Sequence, residues 1–147
     1  MSVPTHVVVA EGEDWRFDPG PVFDALLPAF PEQPVRQGHD PRELHVGGAL
    51  PAWEVRISGD GTDVVVTASS PTRMLEVVAW VRRYVPAEVA LAVFDEQLAC
   101  PLTPLPSDAT VETLRGFWPD EWLTEREPPP LPSLDEMMRS SKPPHLP

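Results

Sequence analysis

Hydrophobic and polar residues alternate with a period of two over 51–58, where Trp53, Val55 and Ile57 interleave with Glu54, Arg56 and Ser58. That period predicts a strand with one buried and one wet face. Gly59-Asp60-Gly61-Thr62 follows, and its Asp-Gly pair suits the positive φ angles of a hairpin turn. Residues 63–68 form a β-branched run, apolar on both faces, which predicts a strand inside the sheet. Ser70-Pro71 then carries cap and start signals for a helix. Met74, Val77, Val78, Val81 and Val85 make one apolar stripe at helical spacing, and Pro86 stops it.

Further elements flank this unit. Residues 5–10 read as a buried strand, and 88–94 as another with Val89, Leu91 and Val93 on one face. Between them, Asp18-Pro19-Gly20-Pro21 opens a short helix over 21–27, which Pro28 ends. From 28 to 50 four prolines and three glycines exclude a long regular element, leaving room for one short strand around Leu44-His45-Val46. Cys100 to Pro106 reads as an extended connector, and Ser107-Asp108 caps a helix to about Phe117, with Val111, Leu114, Phe117 and Trp118 as its packing stripe. Pro128-Pro129-Pro130-Leu131-Pro132 favours polyproline II, so the chain divides into a domain over 1–127 and a Pro-rich tail over 128–147. Strands at 5–10, 52–58, 62–68 and 88–94 with helices at 21–27 and 71–85 give a β-α-β-β-α-β order. The expected fold is α+β and ferredoxin-like: a four-stranded antiparallel sheet, two helices on one face, a C-terminal helix and the tail.

Charge narrows the partners. Twenty-three acidic residues against eleven basic ones give a net charge of −12. Phosphate neutralisation needs clustered cations, so neither nucleic acid nor an anionic membrane surface is an expected partner. A basic protein would instead be attracted and steered. Eleven acidic residues precede Ser70 and ten lie between 71 and 127, so folding must assemble any acidic face. Cys100 is the single cysteine, which excludes an internal disulfide and suits a reducing cytoplasm. No Lys or Arg precedes the short apolar run at 7–10, so a secretory signal is not expected.

Motifs of enzyme chemistry are missing. The chain has no GxSxG elbow, Walker loop, GxGxxG or HExxH, so no catalytic residue, cofactor or metal is expected. His39, Asp40, Glu43 and His45 cluster in sequence, but their spacing matches no established ligand pattern. Asp95 and Glu96 form an acidic pair on a strand end, where neighbouring side chains point to opposite faces. Trp15 stands in a polar turn, either folding onto the core edge or anchoring a partner. Trp118 and Trp122 flank Pro119-Asp120-Glu121, an aromatic-acidic patch that either docks a terminal helix or binds.

The run Trp80-Val81-Arg82-Arg83-Tyr84-Val85-Pro86, followed by Leu91-Ala92-Val93-Phe94-Asp95-Glu96, resembles the helix–strand segment of small actinobacterial immunity proteins. These are encoded beside polymorphic or contact-dependent toxins. The resemblance implies a cytoplasmic, non-catalytic protein that binds a cognate toxin and blocks its active site. An acidic surface suits a basic toxin domain that targets nucleic acid. Expected contacting groups are Trp15, Asp40, Glu43, Asp95, Glu96, Asp120, Glu121 and Trp122. Two other readings stand beside this one: an adaptor or structural subunit docking through the Pro-rich tail, and a small-molecule-binding or enzymatic α+β domain.

Overall fold

In the computed structural model, residues 4–31, 35–37, 40–47 and 51–123 are described. The elements run β1 (Thr5–Val9), α1 (Pro19–Ala29), β2 (Val35–Gln37), β3 (Glu43–Gly47), β4 (Pro51–Ile57), β5 (Asp63–Ala68), α2 (Pro71–Tyr84), β6 (Leu91–Asp95), β7 (Thr103–Leu105), α3 (Val111–Arg115) and α4 (Asp120–Leu123). The strands form one sheet in the order β2-β3-β4-β5-β1-β6-β7. Every neighbouring pair is antiparallel. The tail expected over 128–147 and His39 lie outside the described residues.

The four-stranded, two-helix ferredoxin-like architecture is therefore corrected to seven strands and four helices among the described residues. Two stretches account for the extra strands. Within 28–50, β2 and β3 pair with each other, and β3 pairs with β4 through Leu44↔Val55 and Val46↔Trp53. β3 is the short strand for which the sequence left room around Leu44-His45-Val46, whereas β2, three residues between Pro34 and Gly38, is too short for its alternation to stand out from a loop. The Cys100–Pro106 connector contains β7, whose Pro104 sits opposite Ala92 on the outermost strand. At a sheet edge one side of the strand has no ladder partner, so a proline that donates nothing is tolerated there. Helix bounds also differ from expectation: α1 starts at Pro19 and not at 21, and α3 ends at Arg115 and not near Phe117. α1 continues through Pro28 to Ala29, since in a last turn proline forfeits a single bond. α3 starts later than Ser107-Asp108, capped by Thr110, whose Oγ1 accepts from Thr113 N at 3.2 Å.

One face of the sheet is dry. Val7, Leu44, Val46, Trp53, Val55, Ile57, Val64, Val66, Leu91 and Val93 are all buried there in one cluster. Val22 and Leu26 of α1 join it, as do Met74, Leu75, Val77, Val78 and Val81 of α2. α2 packs on β5 and β1, and α3 and α4 pack on α2. The helix stripe read from sequence thus meets the strand parity read from sequence. On the opposite face β5 is not dry: Val65 and Thr67 are half-buried, so its apolar run marks a central position and not burial on both sides.

Local chemistry sets the turns. Between β4 and β5, Asp60 accepts from Ser58 Oγ at 2.7 Å, and from Thr62 Oγ1 and N at 2.8 and 3.2 Å. These bonds, that of Ser58 foremost, hold its carboxyl at about 2. Gly61 has φ +74°, and a Cβ there would lie 2.8 Å from the Phe17 carbonyl oxygen, so only glycine lets the two backbones meet. After β6 the chain turns through Leu98, the one non-glycine with positive φ (59°) among the described residues. Its side chain is 63% exposed and so gains little from burial. Left-handed backbone costs a non-glycine residue about 1–2 kcal/mol, partly offset by the extra freedom glycine adds to the unfolded chain. Leu98→Gly is expected to raise the urea-unfolding free energy by about 0.5–1 kcal/mol; an unchanged or lower value would show that the turn carries no strain.

Candidate functional site

Among the described residues no helix covers the other face of the sheet, and strand parity decides what stands on it. One register row crosses five strands: Glu43, Arg56, Val65, His6 and Phe94, on β3, β4, β5, β1 and β6. A second row runs His45, Glu54 and Thr67, and a third Asp63, Val8, Ala92 and Pro104. Side chains in neighbouring strands of such rows stand close enough to interact, and diagonal neighbours are within reach of long or aromatic groups. Three carboxylates, Glu43, Glu54 and Asp63, thereby share one face with His6, His45 and Arg56, and the second row continues to Arg36 of β2.

His6 sits at the centre of this face. Its Nδ1 is 2.7 Å from Asp63 Oδ2 and its Nε2 is 2.9 Å from Glu96 Oε1. Its ring stacks on Phe94 with centroids 4.7 Å apart and planes within 6°. Glu96 is positioned by the backbone, its N donating to Pro4 O at 3.1 Å. A neutral imidazole has one N–H to donate, so hydrogen bonds from both nitrogens to carboxylates require the imidazolium. Burial opposes that charge, but the bonds and charges of Glu96 and Asp63 outweigh it and raise the His6 pKa above its ordinary value. In this state the ring is a cation with no free lone pair, and so not a base.

The sign of the linkage follows from that rise. A group whose pKa is higher in the folded than in the unfolded chain stabilises fully below the unfolded value and loses this as pH climbs through the folded one. His6→Gln is therefore expected to cost on the order of 1 kcal/mol at pH 6. The difference should shrink by pH 9, as urea unfolding at both pH values would report. A gap that widens toward alkaline pH would contradict the charged ring.

A second constellation repeats the arrangement. His45 Nδ1 is 3.1 Å from Glu54 Oε2, and its Nε2 is 3.4 Å from Glu43 Oε2. The other Glu43 oxygen takes Arg56 Nε at 3.2 Å. Glu96 is the most open of the four carboxylates, its side chain 52% exposed. Glu43, Glu54 and Asp63 are half-buried. Among the described residues, Asp63 Oδ1 is buried with no hydrogen-bond partner.

The eight contacting groups expected from sequence do not form one patch. Glu43 and Glu96 share the uncovered face, four strand spacings or about 19 Å apart. Asp95 is corrected outright, being 1% exposed on the helix-covered side with its carboxylate bonded inward. Trp15 is half-buried against the core, edge-on to Phe17 and to Tyr84 of α2, each at 6.1 Å. Trp122 also packs on the core, with α4 against α2, while Asp120 and Glu121 are exposed beside it. Asp40 lies in the turn before β3, where its Oδ1 accepts from Arg42 N at 2.9 Å. Burial pushes the Cys100 thiol up, the Thr103 hydroxyl tempers this and the Asp95 charge adds to it, which describes an inert thiol.

His6, Glu54, Arg56 and Asp63 were absent from the expected set. Their signal was parity: each is the polar or odd member of an alternating strand. Among the described residues no group of three or more His, Cys, Asp or Glu is placed to hold a metal ion. No helix among them is long and apolar enough to cross a membrane. Comparison with protein families, curated proteins and solved structures finds no match to this chain.

Proposed function

We propose that this chain is a non-catalytic cytoplasmic binding protein that captures a basic protein partner on the uncovered face of its sheet, as an immunity protein captures a toxin. The observation that carries the reading is the one-sided sheet. Among the described residues its helix-free face bears Glu43, Glu54, Asp63 and Glu96 beside Arg56 and His6, with Arg36 in register opposite His45, on a chain with a net charge of −12. Strands hold Glu43, Glu54 and Asp63 at fixed spacings, which lowers the cost of ordering them against a partner. Their field would speed encounter with a cationic surface, and the same carboxylates would fill a groove built for phosphates. Val8, Val65 and Phe94 lie between them and supply apolar area for the centre of such an interface.

The test is purification of the tagged chain from its native host at low and at moderate salt, beside a Glu43→Gln/Glu54→Gln variant. A stoichiometric basic protein is expected at low salt, released as salt rises and retained less by the variant. Equal retention by the variant would move the interface elsewhere. Absence of any basic protein at either salt would overturn the reading.

A further inference from the structure

Two of the four carboxylates on the uncovered face already hold a cation that belongs to the protein. His6 lies between Asp63, which comes from β5, and Glu96, which comes from the turn after β6. Among the described residues, Asp63 and Glu96 supply the charges acting on the ring. Phe94 of β6 stacks on it. On its other flank stands Val65 of β5, and beyond that Arg56 of β4, whose Nε is committed to Glu43. The imidazolium thus occupies the place on this face that an incoming cation would seek.

A partner's arginine differs from His6 in one decisive way: its charge is permanent, whereas an imidazolium gives up its proton near neutral pH. Two cations cannot share one pair of carboxylates without mutual repulsion, so the titratable one yields.

We propose that binding on this face is proton-coupled through His6: the ring fills the Asp63–Glu96 pair in the free protein, and an arginine of the partner takes that pair as the ring gives up its proton to solvent. The inference rests on the binding reading above and adds its regulation. Affinity then rises with pH through the His6 titration, and binding releases protons by the same linkage.

The test uses the full chain and hexa-arginine as the probe. Side-chain NMR locates the His6 midpoint, and calorimetry in two buffers of different ionisation heat counts protons released. Affinity is expected to rise about fivefold or more between pH 6 and pH 8.5, with proton release on binding. His6→Gln should flatten both. Glu96→Gln, which removes one negative charge and leaves an acceptor and the ring in place, should lower the His6 midpoint and reduce the release. Binding that weakens in Glu43→Gln/Glu54→Gln but shows no proton release would overturn the inference and leave the binding reading standing. A probe that ignores the Glu43→Gln/Glu54→Gln change, or does not bind, would overturn both.

Discussion

Replacing Asp95 with alanine is expected to lower the unfolding free energy by about 3–5 kcal/mol. The carboxylate is 1% exposed and accepts three hydrogen bonds: from Ala99 N and Cys100 N, each at 3.0 Å, and from Trp118 Nε1 at 2.7 Å. Truncation would leave these donors with no acceptor in a closed site, and each orphan costs about 1–3 kcal/mol. Two parts of the fold would loosen together. The bonds to Ala99 and Cys100 close the turn after β6, and the bond to Trp118 fastens that turn to the segment following α3. Asp95→Asn keeps the shape but turns an amide N–H₂ toward donors, so an intermediate loss is expected. Urea unfolding followed by tryptophan fluorescence measures both variants. A loss below about 1 kcal/mol for alanine would show that water replaces the carboxylate at little cost. Because Glu96 follows Asp95 directly, the alanine variant should also blur the position of the most exposed carboxylate on the candidate face.

Arg82→Ala is expected to cost a similar amount, about 3–5 kcal/mol. Arg82 lies on the buried side of α2 at 1% exposure. Its Nη1 donates to Val89 O at 3.0 Å and its Nη2 to Pro86 O at 2.8 Å, with a longer contact to Val85 O at 3.5 Å. One guanidinium therefore supplies the carbonyls of the link from α2 to β6, where the helix has ended and no ladder has begun. Burial lowers its pKa, the expected direction for a cation taken out of water without a carboxylate partner. Arg82→Lys should recover only part of the loss, because an ammonium on a flexible stem does not match the planar fork that reaches Val89 and Pro86 together. If lysine restores full stability in urea unfolding, charge matters there and the fork does not.

These two residues mark where local pattern stops being informative. In the sequence Arg82 follows Val81 of the apolar stripe, and the stripe itself does not include it. Its acceptors lie in the loop beyond Pro86, and no periodicity announces them. Asp95 reads as a solvated strand end because its anchor, Trp118, is 23 positions away. The β4–β5–α2 unit was legible because each of its signals is short-range: alternation over 53–57, the Asp60 turn, and the Ser70 cap, whose Oγ accepts from Arg73 N at 3.3 Å. The candidate face was half legible. Parity alone puts Glu54 and Arg56 on the polar side of their strand, but the meeting of His6 with Asp63 and Glu96 requires β1 to lie between β5 and β6.

Sequence by itself determined the period of the β4–β5–α2 unit, the turn and cap residues that bound it, the excess of negative charge and the dry sides of β4 and β6. Tertiary structure alone decided that seven strands pair, that Pro104 joins an edge strand, that Asp95 turns inward while Glu96 turns outward, and that His6 stands between two carboxylates. The physical reason is one of range. Side-chain direction along a strand or helix repeats every few residues and is written locally, whereas the neighbour across a ladder is chosen by the burial of the whole sheet.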